Sequence, residues 1–152
     1  MCLPAVSYRA CRRLRRVGAC PILEISVTYP VLEEGEGDLL PSAVARFNQA
    51  YADIAEALLS WADGAPADAA AEAFWAMGEG AMFRFDRRLI CCDMTVEERS
   101  ADRLTVRRTL TLTTRRGGGE GEEMVARDVW RLPTLTLDPP AQKHRKKSVK
   151  SL

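Results

Sequence analysis

Histidine is almost missing from this chain. The single one, His144, sits among lysines near the C-terminus. A histidine-based triad or histidine zinc site in the body of the protein is therefore excluded. No apolar run approaches the roughly 20 residues needed to cross a bilayer, and the arginine-rich N-terminus lacks the continuous apolar core of a signal peptide. Five cysteines, at 2, 11, 20, 91 and 92, are an odd number with no zinc-ribbon or disulfide-framework spacing. Reduced thiols are the expected state. Cys91 and Cys92 are adjacent in a strand-like stretch, so one should enter the core and the other should face outward. Neither has a histidine in the body to activate it as a nucleophile. These features suit a cytoplasmic protein as the chain stands, or an extracytoplasmic one if a signal or anchor belongs in front of it.

A net charge of +1 conceals an uneven distribution. Arg9, Arg12, Arg13, Arg15 and Arg16 lie in the first 16 residues, and Lys143, Arg145, Lys146, Lys147 and Lys150 in the last 12, with no acid in either segment. All 21 acids fall in the body, against 12 cations. The organisation read from this is a basic mobile leader (1–20), a single domain (21–133) and a basic disordered tail (134–152). A length of 152 residues and 47% hydrophobic content are enough for one core without staples.

The stretch Pro41–Trp61 carries the strongest pattern. Val44, Phe47, Tyr51, Ile54, Leu58 and Trp61 recur in steps of three and four and so form one apolar stripe on a helix. Arg46, Gln49, Asp53, Glu56 and Ser60 occupy the opposite face. Before it, Ile22–Val31 alternates as a half-buried strand, and the acidic, glycine-broken loop 33–38 follows. Asp63-Gly64-Ala65-Pro66 ends the helix. A second, alanine-rich helix is expected over Ala67–Met77, anchored by Phe74 and Met77. Three strands should follow: Phe83–Arg99 with a bulge near Arg87–Leu89, Arg103–Arg115 after the turn Ser100-Ala101-Asp102, and Met124–Leu132 after a glycine-rich tip.

The order strand–helix–helix–strand–strand–strand predicts an α+β domain in which a curved antiparallel sheet of about four strands packs on the main helix. A cystatin-like topology is the simplest fit, and the cone of nuclear-transport-factor-like proteins is the alternative. The wager is that the apolar stripe lies in the concavity of that sheet.

Ile25-Ser26-Val27-Thr28-Tyr29-Pro30, an acidic loop, and a helix bearing Phe47-Asn48 and Tyr51 resemble the start of a bacterial extracytoplasmic domain. That domain occurs in the anti-sigma-V factor and in a peptidoglycan deacetylase of Firmicutes. Asp128 and Trp130 are compatible with its later strands, so the resemblance spans Ile22–Leu132. It implies a binding or sensing module; in the anti-sigma factor the domain binds lysozyme. No functional residue carries over. Unlike those proteins, the chain as given is expected to carry a basic tail in place of their further sheet, and no signal or membrane anchor is recognised in it.

Catalytic chemistry has few candidates, and no catalytic, cofactor or metal residue is assigned. Asp86, Asp93 and Asp128 lie in strand-like segments, where paired carboxylates could do acid–base work; cross-strand pairing with Arg88, Arg107 or Arg127 is the plainer expectation. Arg108 interrupts an inward apolar row. It either snorkels at the sheet rim, the reading favoured here, or marks a pocket. The glycines at 117–119 fit a hairpin tip rather than a phosphate cradle. Lys143, Arg145, Lys146 and Lys147 could make a weak contact with an anionic partner, but the aromatic residues that stack bases are lacking there. The expectation is a non-enzymatic module that binds a protein or small ligand. The rivals are a small enzyme with a pocket between helix and sheet, and weak nucleic-acid binding through the basic ends.

Overall fold

A computed structural model describes residues 3–34, 37–116 and 121–139. The fold is α+β. One curled, mixed sheet of six strands runs in the order β1-β2-β3-β4-β5-β6, with the main helix on its concave face. The strands are β1 (Val6–Val17), β2 (Cys20–Leu32), β3 (Arg88–Arg99), β4 (Arg103–Thr114), β5 (Glu122–Arg131) and β6 (Thr136–Leu137). Between β2 and β3 lie α1 (Pro41–Leu59), a 3-10 turn (Ser60–Asp63), α2 (Ala65–Ala76) and the single-turn α3 (Ala81–Arg84).

The stripe on α1 meets the sheet. Val44, Phe47, Tyr51 and Leu58 are buried against Leu23, Ile25, Val27 and Tyr29 of β2, with Ala43, Ala55 and Leu59 widening the contact. Burial of each large side chain contributes about 1.5–3 kcal/mol. Ile54 and Trp61, at the edge of the stripe, are half-buried. Pro41 occupies the first turn of α1 after the N-cap Leu40, where its missing N–H costs nothing.

Four expectations need correction. The segment 1–20 was expected to be a mobile leader. Val6–Val17 is instead a full strand, paired antiparallel with β2 through a turn in which Gly18 has φ 60°. Its arginines masked the alternation, and on an edge strand such charges discourage unwanted pairing. The sheet has six strands rather than about four, and it is not wholly antiparallel. β3 begins beside the start of β2, Arg88 opposite Leu23, and the two run parallel. The helical segment returns the chain to the end where β2 began, and such a crossover yields a parallel pair.

Phe83–Arg87 is not strand. Ala81–Arg84 forms α3 and leaves Phe83 exposed, so the phase change near Arg87–Leu89 is a helix-to-strand junction. The irregularity in β3 lies between Val96 and Glu98 instead. Finally, the segment assigned to the tail starts as structure: Leu135 is fully buried, and Thr136–Leu137 pairs with Trp130–Arg131. The remaining tail residues, including Lys143, His144, Arg145, Lys146 and Lys147, lie outside the described residues. No described helix is long and apolar enough to cross a membrane.

Candidate functional site: an apolar trough closed by an arginine–aspartate pair

The inward residues of β3, β4 and β5 face α1 in matched rows. Ile90 lies opposite Leu112, Cys92 opposite Leu110, and Met94 opposite Arg108. Leu110 in turn lies opposite Met124, Arg108 opposite Ala126, and Val106 opposite Asp128. α1 packs chiefly on β2, and its Phe47 and Tyr51 reach Trp130 and Asp128 in the second half of β5. A trough remains between the helix and β4–β5.

Its inner part is a cavity of about 390 Å³, walled by Ile54, Leu58 and Trp61 on one side and Leu110, Met124 and Ala126 on the other. A second pocket, about 540 Å³, lies beside the next residues of the same rows, lined by Ile90, Leu112, Leu23 and Pro66. The rim there carries Arg88, Thr114 and Glu122.

The inner end is polar, and its groups bond to one another. Arg108 donates from Nε to Asp128 Oδ2 at 2.8 Å and from Nη2 to Asp128 Oδ1 at 2.9 Å. Tyr51 donates its hydroxyl to Asp128 Oδ2 at 2.8 Å and accepts from Trp130 Nε1 at 2.8 Å. Phe47 packs on both rings, 5.0 Å from Tyr51 and 5.0 Å from Trp130. A two-pronged arginine–carboxylate pair of this kind is directional and strong. Arg108 is thus in a cavity wall, not merely at the sheet rim as expected. The Asp128 charge that holds it inward is contributed by the neighbouring strand.

Burial pushes the Tyr51 hydroxyl strongly upward, with the Asp128 charge adding to the effect and the Trp130 N–H opposing it. The Arg108 guanidinium is held charged by its hydrogen bonds to Asp128. Burial pushes Cys92 up to about 11, only partly opposed by Arg108, and also raises Cys91, with Asp93 adding to it. None of these groups is poised as a base or nucleophile near neutral pH.

The three aspartates singled out by sequence are not brought together. Asp86 accepts the Arg116 backbone N–H at 2.8 Å. Asp93 is exposed on the outer face, 3.9 Å from the Cys91 thiol. Only Asp128 bears on the trough, through its bonds to the lining Arg108. Arg127, expected as an aspartate partner, instead donates to Glu97 at 2.6 Å. Cys92 is buried and Cys91 half-buried, in line with the expected alternation. Among the described residues, no three His, Cys, Asp or Glu side chains form a group able to hold a metal ion. Tyr51 and Trp130 were legible as core residues, but no local signal linked them to Arg108.

Neither a protein-family model nor a curated protein matches the chain. Among solved structures, it is similar to the crystal structure of a DUF3298 family member from Bacteroides fragilis, at 14% sequence identity and a TM-score of 0.38. The likeness covers 85% of this chain and spans 57% of the length of the other.

Proposed function

We propose that this domain is a non-enzymatic binding module whose trough takes an apolar small molecule with a neutral, hydrogen-bonding head. The observation that carries this reading is the apolar cavity walled by Ile54, Leu58, Trp61, Leu110, Met124 and Ala126, with Arg108, bonded to Asp128, in its wall. Sites of this kind bind by apolar lining and orient by a few fixed polar groups. Asp128 already neutralises Arg108, so the pair presents donors and acceptors without net charge. An amide or hydroxyl head fits such a pair, whereas a carboxylate would compete with Asp128 for the guanidinium.

The enzyme reading has less support, because each titratable group at the trough either holds its neighbour or is pushed away from neutrality. The resemblance of the Ile25–Pro30 segment and the following helix to an extracytoplasmic binding domain points to the same class. The nucleic-acid reading rests on the tail and on the β1 arginines. Of the latter, Arg12 is paired with Glu24, and Arg15 with the Ala62 carbonyl and Asp68.

The test is titration with an environment-sensitive apolar dye, followed by competition with a long-chain amide, alcohol and carboxylate. The amide and alcohol should displace the dye better than the carboxylate. Ala57→Trp, an exposed helix position lining the trough, should weaken dye binding about tenfold or more with the fold retained. A dye that fails to bind, or binds equally well to Ala57→Trp, overturns the reading.

A further inference from the structure

β5 is nearly an edge strand. Among the described residues, β6 pairs only with Trp130 and Arg131, and the Asp138 N–H adds one bond to the Val129 carbonyl at 2.8 Å. From Glu122 to Asp128, no described strand pairs with the outer edge of β5. Met124 is 52% and Val125 43% exposed. An open edge of this length, with Met124, Val125 and Ala126 at its centre, is a template for another strand.

We propose that this edge is the interface of a homodimer, in which β5 of one copy pairs antiparallel with β5 of a second across a two-fold axis at Val125. Two backbone observations fit that register. The open window, Glu122 to Asp128, has Val125 as its midpoint. The Val129 carbonyl points outward, so along β5 the backbone groups of Glu123, Val125 and Arg127 point outward too. A strand centred on Val125 sets these odd positions opposite one another, giving about six backbone hydrogen bonds.

The outer-face side chains then match, while on the concave face Glu122 falls opposite the partner's Asp128, whose charge Arg108 already holds. Glu123 falls opposite the partner's Arg127, and Arg127 opposite the partner's Glu123, with the two Val125 side chains between them. Arg127 gives its Nε to Glu97 and is 54% exposed at its side chain, so pairing with the partner's Glu123 requires it to share or leave Glu97. On the concave face, Met124 stands opposite the partner's Ala126, large against small. Centring the axis one residue away loses both Glu–Arg pairs.

The chain's own continuation is a poorer occupant of the same edge. Pro139 and Pro140 have no N–H to donate, and the lysine-rich segment after them lacks strand alternation. The dimer also bears on the trough, because Met124 and Ala126 line it. The partner's Met124 would extend the wall on the side that α1 leaves open. The interface itself does not depend on what the trough binds.

Sedimentation equilibrium of the full chain should give twice the 16.9 kDa chain mass. Val125→Lys places two like charges on the axis and should give a monomer. Glu123→Arg and Arg127→Glu should each be monomeric alone, since each sets like charges opposite one another. Mixed together, they should form a heterodimer, because both pairs between positions 123 and 127 are then opposite in sign. Thermal unfolding of each variant checks that the fold persists. A monomeric wild type at the highest attainable concentration overturns the proposal. So does a dimer that survives Val125→Lys, or a failure of the two folded charge variants to associate on mixing.

Discussion

The Tyr51 hydroxyl and the Asp128 carboxylate meet at 2.8 Å although 77 positions separate them in the chain. Tyr51 comes from the middle of the apolar stripe on α1, and Asp128 from the inward face of β5. The bond fixes the helix against the far side of the sheet and turns the carboxylate so that both its oxygens serve Arg108.

Tyr51→Phe should keep the packing and lose the polar link. It strands the Trp130 N–H in the core and removes one donor from Asp128. The expected cost is about 1–3 kcal/mol, read from urea unfolding. An unchanged midpoint would mean that water or a shifted side chain replaces the phenol.

Arg108→Leu should cost more than the double variant Arg108→Leu/Asp128→Leu. The single change leaves a carboxylate, 13% exposed at its side chain, without its counter-charge; the double removes both. Because Arg108 itself is 35% exposed, solvent screens the pair, and a coupling of about 1–2 kcal/mol is expected rather than the full buried-pair value. A double-mutant cycle by chemical denaturation measures it.

Phe47 touches both aromatic rings of the network and is fully buried. Phe47→Ala should cost about 3–5 kcal/mol through lost burial and the cavity left behind. Phe47→Leu should cost distinctly less. The gap between the two, in the same denaturation experiment, reports how far the helix can settle onto β5.

Alkaline pH should destabilise the domain through its thiols and Tyr51. The folded state raises Cys92 from 9.0 to about 11 and also raises Cys91 and Tyr51. Below pH 9, folded and unfolded chains both keep the Cys92 proton, and its contribution to the pH dependence is nil. Between pH 9 and about 11 the unfolded chain releases it first, so stability falls as pH rises. The melting temperature should therefore decline over that interval, and Cys92→Ala should lessen the decline relative to its own value at pH 8.

Asn48 mimics a strand neighbour: its Oδ1 accepts the Leu32 N–H at 2.8 Å and its Nδ2 donates to the Leu32 carbonyl at 3.0 Å. Asn48→Asp keeps the size but sets a carboxylate against that carbonyl. A loss of about 1–3 kcal/mol is expected, with faster amide exchange at Leu32 as the local signature.

What the sequence determined by itself was whatever repeats over a few residues. Steps of three and four placed Val44, Phe47, Tyr51 and Leu58 on one buried face of α1. Alternation marked β2 and β4, and adjacency in a strand separated Cys91 from Cys92. Such patterns are legible because backbone geometry ties each side chain to its near neighbours. β1 escaped because arginines replaced the apolar half of its alternation; only its ladder with β2 makes it a strand. The parallel pairing of β2 with β3 depended on where the helical segment delivered the chain. The meeting of Arg108, Asp128, Tyr51 and Trp130 depended on sheet register and on the curl that carries β5 toward α1. Contacts across such distances are chosen by the packed whole, and no short window of residues contains them.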